Sequence, residues 1–192
     1  MLGFALPALL ALGLLGRLDA LTVMPPEFVP LAAALPRLTP SDLAPSFLIG
    51  MGLGIALVAL ATRLRRGRLP RMLGDVGPLM PRNRAELRWG GALALTAGVT
   101  EELMFRLALP LAITLVTGSA LAAFALATIA FAALHRYQGW VGVLATGTVG
   151  ALLAFVYLVT AQLWLVIGLH ALLDLNGLVL RPVLAGAWRR RD

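Results

Sequence analysis

Apolar stretches of about 20 residues recur along the chain, separated by shorter segments rich in Arg or Pro. A helix of about 20 apolar residues is long enough to cross the hydrocarbon core of a bilayer. The pattern predicts six such helices, over residues 2–24, 43–62, 89–109, 118–137, 140–159 and 163–180. The expected fold is therefore all-α: a polytopic helical membrane protein with about six transmembrane helices.

Proline marks the expected breaks in this pattern. The segment 25–45 holds six prolines and is predicted to be a loop or a re-entrant segment. Pro110 is predicted to end the third helix, since proline removes a backbone donor and disfavours the helical conformation before it.

The composition supports a membrane protein and excludes a soluble domain. Apolar residues make up 60% of the chain and charged residues 13%, against roughly half and a quarter in soluble domains. The same composition excludes a disordered chain. There is no cysteine, which excludes disulfides, thiol nucleophiles and cysteine-based zinc sites.

Charge indicates the orientation of the chain in the membrane. The net charge is +7, every basic residue is Arg, and eight of them lie between residues 63 and 88. By the positive-inside rule this loop is cytoplasmic, and six spans then place both termini in the cytoplasm as well. We expect an integral protein of a bacterial-type plasma membrane whose partners are the lipid bilayer and a membrane-associated substrate. Nucleic acid is not an expected partner, since no aromatic-rich basic groove accompanies the charge.

Few ionisable side chains fall inside the predicted spans. Arg17 and Asp19 interrupt the first span and are expected near its outer interface. The others that we place within the membrane lie in the second half of the chain: Glu101, Glu102, Arg106, His135, His170 and Asp174. Each costs about 2.5–3.5 kcal/mol or more at the centre of a span, so such groups indicate function.

Helical spacing sorts these residues. Glu102 and Arg106 are four residues apart and are predicted to form an ion pair that supports the site. Glu101 is turned about 100° from Glu102 and is therefore available for another role. His170 and Asp174 also share one helix face. A carboxylate with a histidine can activate water, and a second histidine with a hydrogen-bonding partner can stabilise an oxyanion.

Three short motifs carry these residues in order. They are EELMFR at 101–106, FAALH at 131–135 and HALLD at 170–174. The set resembles the CPBP family of intramembrane endopeptidases, also called the ABI or CAAX-protease-like family. The resemblance covers about residues 89–180, the expected catalytic core of a single domain over residues 1–192. Residues 1–88 then supply two accessory spans and the Arg-rich loop.

The resemblance implies a peptide-bond hydrolase with its site in a membrane cavity. Glu101 corresponds to the water-activating glutamate, assisted by His135, and His170 with Asp174 to the pair that stabilises the oxyanion. The sequence departs from the family pattern in two places: Leu107 stands where many members have Gly, and Asp174 stands where the prenyl-protease branch has Asn.

Other functions are compatible with the same residues. A metal-dependent protease would use Glu101, His135, His170 and Asp174 as zinc ligands, although no HExxH motif is present; we therefore expect no cofactor, with zinc as the alternative. A proton-coupled transporter also uses Glu and His, but such proteins usually show inverted repeats. A non-catalytic membrane scaffold or immunity-type protein is the third alternative.

Overall fold

The computed structural model describes residues 3–64 and 74–184. Within these two ranges the chain is helical and contains no strand. Much of the predicted Arg-rich loop, including Arg65, Arg66, Arg68 and Arg71, lies outside the described residues, as do Arg189, Arg190 and Arg191 near the carboxy terminus.

The first helix is shorter than predicted. Helix α1 runs from Ala5–Leu14 and is therefore about 15 Å long, half of a hydrocarbon core. The prediction of a first span over residues 2–24 is wrong, because the helix ends before Gly16, which has a φ of +64°. Two short 3₁₀ turns and helix α2 (Val29–Ala33) follow.

An ion pair fastens this segment. Both guanidinium Nη atoms of Arg17 donate to the carboxylate of Glu27, each at 2.6 Å. The hydrogen bond from Arg17 lowers the pKa of Glu27. Nearby, the indole of Trp164 donates to the carbonyl of Leu21 at 3.0 Å, so the segment is attached to the carboxy-terminal half of the chain.

Helix α3 (Pro40–Leu64) covers the predicted second span and exceeds it by a few residues at each end. Asp42 caps its start by accepting hydrogen bonds from the backbone and hydroxyl of Thr39.

The third helix is much longer than predicted and is not broken at Pro110. Helix α4 (Arg84–Glu102) begins at Asn83, whose side chain accepts from the backbone of Glu86. It continues through a π-helical segment, Leu103–Ala108, into helix α5 (Leu109–Thr117). Pro110 lies in the first turn of α5, directly after the π segment. We attribute the continuity to the wider π turn, which does not need the hydrogen bond that proline cannot donate.

The last three predicted spans correspond to helices, with shifted ends for two of them. Helix α6 (Ala120–Leu134) is shorter than predicted, α7 (Gly139–Thr160) agrees within one residue, and α8 (Leu163–Leu175) begins as predicted. A second π segment, Asn176–Leu180, then leads into α9 (Arg181–Leu184). Among the described residues, two helical stretches are long and apolar enough to cross a membrane, Arg136–Thr160 and Leu163–Leu184.

The buried core joins α1 and the segment after it to the long helices. Aromatic rings fill its centre: Phe28 packs edge-on against Phe124 and Tyr157, with ring centroids 4.9 and 6.4 Å apart. This core holds α6 and α7 beside the π segment of the third helix, and the ionisable residues lie next to it.

Candidate active site

Helices α4 and α8 approach each other closely at Gly98. A Cβ atom at this position would lie 3.0 Å from the Cβ of Ala171, which is tighter than nine in ten contacts of this kind. Small residues allow helix backbones to approach in this way. Gly98 lies one turn before Glu101 and Glu102, and Ala171 follows His170, so the contact brings two of the three motifs together.

His170 is the centre of the resulting cluster. Its Nδ1 lies 2.7 Å from Oε1 of Glu102. Its Nε2 lies 3.8 Å from Oε2 of Glu101 and 3.7 Å from Oδ2 of Asp174. Only the contact with Glu102 has hydrogen-bond length. The imidazole is buried, with 6% of the residue exposed, so three carboxylates surround one desolvated ring.

Glu102 contacts both His170 and Arg106. The Nε atom of Arg106 lies 3.1 Å from Oε2 of Glu102, and both side chains are completely buried. The N–H is not aligned on the oxygen, so the contact is an ion pair rather than a hydrogen bond. The spacing predicts this ion pair, but it does not reveal that the other oxygen of Glu102 binds His170.

His135 caps the carboxy-terminal end of α6 and is partly exposed. Its Nδ1 lies 2.8 Å from the carbonyl oxygen of Phe131. A carbonyl only accepts hydrogen bonds, so Nδ1 carries the proton and Nε2 of the neutral ring has the free lone pair. Glu101 and Asp174 both interact electrostatically with His135. The four predicted catalytic residues thus belong to one cluster.

Phe131 opens the FAALH motif, but the sequence assigned it no role in the site. Its ring lies against both histidines and against the guanidinium of Arg106. The feature of the sequence that points to a role for Phe131 is its spacing of four residues from His135, which places both side chains on one face of α6.

The cluster opens to the surface at Asp174 and at His135, which is partly exposed. The side chain of Asp174 is 35% exposed, against 12% for Glu101. Two cavities lie elsewhere. One, of about 260 Å³, lies beside the turn between α7 and α8; the other, of about 480 Å³, lies along the first half of α4. Glu101, His135, His170 and Asp174 line neither of them.

Within residues 3–64 and 74–184, no group of three or more His, Asp or Glu side chains is placed to hold a metal ion. Whether a cofactor takes part stays a prediction.

Comparison with known proteins agrees with the motifs. The family model described as "Type II CAAX prenyl endopeptidase Rce1-like" matches residues 83–176. No curated protein and no solved structure matches the chain. The matched segment contains Glu101, Glu102, Arg106, His135, His170 and Asp174. Residues 83–176, which carry all three motifs, are therefore of the Rce1-like type, and the family resemblance that the motifs indicate is confirmed.

Proposed function

We propose that the protein is an intramembrane endopeptidase that hydrolyses a peptide bond in a membrane-associated substrate. One observation carries the proposal: three motifs from separate helices converge on a single buried cluster, in which Glu101 and Asp174 both lie within 4 Å of Nε2 of His170. The Rce1-like match over the same residues supports hydrolysis of a peptide bond as the reaction.

In this proposal Glu101 accepts a proton from water while the water oxygen attacks the carbonyl carbon of the substrate. His135 assists through Nε2, which has the free lone pair when the ring is neutral. When the C–N bond breaks, the same proton passes to the nitrogen of the leaving amine. Water, peptide and products then balance, and general acid–base catalysis of this kind contributes about 10²–10⁴-fold.

His170 and Asp174 stabilise the negative charge that develops on the carbonyl oxygen. Because Nδ1 of His170 donates to Glu102, Nε2 can donate to an oxyanion only when the ring is doubly protonated. The nearby carboxylates favour that form by charge. Asp174 donates only in its neutral form, and its side chain is open enough to reach a substrate.

The membrane setting is part of the proposal. The two long apolar helices support it, and we place both termini and the loop between α3 and α4 in the cytoplasm. Because the chain has no cysteine, a single cysteine introduced at Arg66 tests the orientation. An impermeant thiol reagent should not label it from outside intact cells, and labelling would overturn the orientation.

The central experiment compares Glu101→Gln with Glu86→Gln, since both are glutamates of α4 and only Glu101 belongs to the cluster. Purified protein in liposomes is incubated with membrane-protein peptides, including a farnesylated CAAX peptide, and the products are identified by mass spectrometry. Glu101→Gln should lose cleavage at least a hundredfold, and Glu86→Gln should keep it. Full activity of Glu101→Gln would refute the mechanism.

The same assay tests the cofactor prediction. Turnover should be unchanged by a chelator, and no stoichiometric zinc should copurify. Activity that is lost with the chelator and restored by Zn²⁺ would instead show that the protease depends on metal. Absence of cleavage by wild-type protein on every peptide would favour the scaffold alternative.

A further inference from the structure

The ring of Phe131 contacts three charged or titratable side chains. Its ring centroid lies 4.8 Å from that of His135 and 6.0 Å from that of His170. The guanidinium carbon of Arg106 lies 5.0 Å from the same ring centre. One side chain thus contacts both imidazoles and the buried cation that supports the site.

Helix α7 packs on the ring of Phe131 and fixes its position. Only 2% of Phe131 is exposed, so it does not itself face a substrate. Gly150 of α7 packs directly on the ring: a Cβ at this glycine would lie 2.8 Å from Cδ1 of Phe131, too close for any real contact. Helix α7 therefore sets the plane of the ring that lies between the two histidines.

The backbone of Phe131 acts on the same site. Its carbonyl accepts the hydrogen bond from Nδ1 of His135 at 2.8 Å, which orients the ring so that Nε2 is free. Side chain and carbonyl together constrain the catalytic imidazole, while the side chain also borders the second one.

We propose that Phe131 is a positioning residue that holds His135 and His170 in their relative orientation, with Gly150 as its support. The proposal rests on the proposed function and names a further residue that the reaction needs. An aromatic ring attracts a neighbouring cation through its π face, which an aliphatic side chain cannot do. The charged and titratable groups around the two imidazoles and the Phe131 ring are Glu101, Glu102, Arg106, Asp174 and Tyr137, whose ring centroid lies 5.8 Å from that of His135.

The matched experiment uses two phenylalanines of the same helix. Phe124 is also buried in α6, but its aromatic partners are Phe28 and Tyr157. Phe131→Leu and Phe124→Leu should lower the melting temperature in detergent by similar amounts. Only Phe131→Leu should also lower kcat, about tenfold to a hundredfold, with little change in KM, because the reacting groups are misplaced. Equal kcat for the two variants would overturn the proposal.

A second pair of variants applies if Phe131→Leu does not fold. Gly150→Ala pushes on the ring of Phe131, whereas Gly147→Ala, on the same helix, meets only the side chain of Ala132 at 3.2 Å. Gly150→Ala should lower kcat and Gly147→Ala should not. A Gly150→Ala protein with wild-type kcat would contradict the inference.

A measurement independent of activity is also possible, because the chain has only two histidines. Protein labelled with ¹⁵N at histidine gives ring signals from His135 and His170 alone. The relative positions of the Nδ1 and Nε2 signals report which nitrogen of each ring carries the proton. Phe131→Leu should change this pattern in at least one ring, and Phe124→Leu should change neither. An unchanged pattern in Phe131→Leu would overturn the role of Phe131 even if Glu101→Gln abolishes cleavage; active Glu101→Gln would instead overturn the proposed function alone.

Discussion

Replacing Glu102 by glutamine would leave Arg106 as an uncompensated charge in the protein interior. The two side chains are completely buried, with 3.1 Å between Nε and Oε2. Within the described residues, Nη1 and Nη2 of Arg106 have no hydrogen-bond partner, and the guanidinium carbon lies 5.0 Å from the centroid of the Phe131 ring. Removing one partner of a buried pair costs about 3–5 kcal/mol, which is roughly two to four orders of magnitude in the unfolding equilibrium.

Unfolding in mixed detergent micelles measures this loss, and a double variant separates its cause. In Glu102→Gln/Arg106→Met no charge remains unpaired, so much of the lost stability should return. Glu101→Gln is the matched control: it changes the neighbouring glutamate, which has no ion pair with Arg106, and should alter the free energy of unfolding much less. A loss below about 1 kcal/mol in Glu102→Gln, typical of an exposed pair, or no recovery in the double variant, would refute the reasoning.

Three further predictions concern other parts of the structure. Gly98→Ala should lose activity and about 1–3 kcal/mol of stability through overpacking between α4 and α8, whereas Gly168→Ala, with open space around it, should behave as wild type in both assays. Asp174→Asn should keep much of the cleavage rate if Asp174 donates a hydrogen bond, since an amide also donates; a tenfold or greater loss at every pH would contradict this role. Glu27→Gln should lower stability by about 1 kcal/mol at neutral pH. Arg17 lowers the pKa of Glu27, so the ion pair stabilises the fold at any pH above the ordinary carboxyl pKa. This stabilisation is lost as the pH falls through the lowered pKa of Glu27 in the folded protein. The melting temperatures of wild-type protein and Glu27→Gln should therefore converge in acid.

Hydropathy predicts the second half of the fold well and the amino-terminal segment poorly. It locates α7 within one residue at each end, because a long apolar run between Gly139 and the turn at Ala161 leaves little ambiguity. It does not detect the end of α1, where the chain turns at Gly16 and Arg17 pairs with Glu27. The end of α1 is accompanied by the contact between Arg17 and Glu27, which are ten residues apart. A hydropathy average over neighbouring residues does not detect such a contact.

Pro110 led to a wrong prediction for the third helix, which continues past this residue. A proline normally ends or kinks a helix because its own nitrogen has no hydrogen to donate and its ring clashes with the preceding turn. Here the preceding turn is π-helical, and a π turn often marks a functional position. A second π segment follows His170 and Asp174 on α8. The helices that carry Glu101 and His170 are thus both widened near the cluster, the first directly after Glu102 and the second two residues after Asp174, which residue propensities alone do not predict.

The spacing of residues within one helix predicts part of the roles of Glu101 and Glu102, but not all of them. The 100° between Glu101 and Glu102 predicts that only one of them pairs with Arg106, and the structure places Glu102 there. The same angle does not separate them with respect to His170, because an imidazole has two nitrogens on different edges. Glu102 binds Nδ1, which turns Nε2 toward Glu101. Stability and chemistry are thereby linked in one side chain: the carboxylate that compensates Arg106 also determines which nitrogen of His170 faces the reacting groups. A substitution of Glu102 should consequently impair cleavage even under conditions in which the protein remains folded, whereas a substitution of Glu101 should impair cleavage alone.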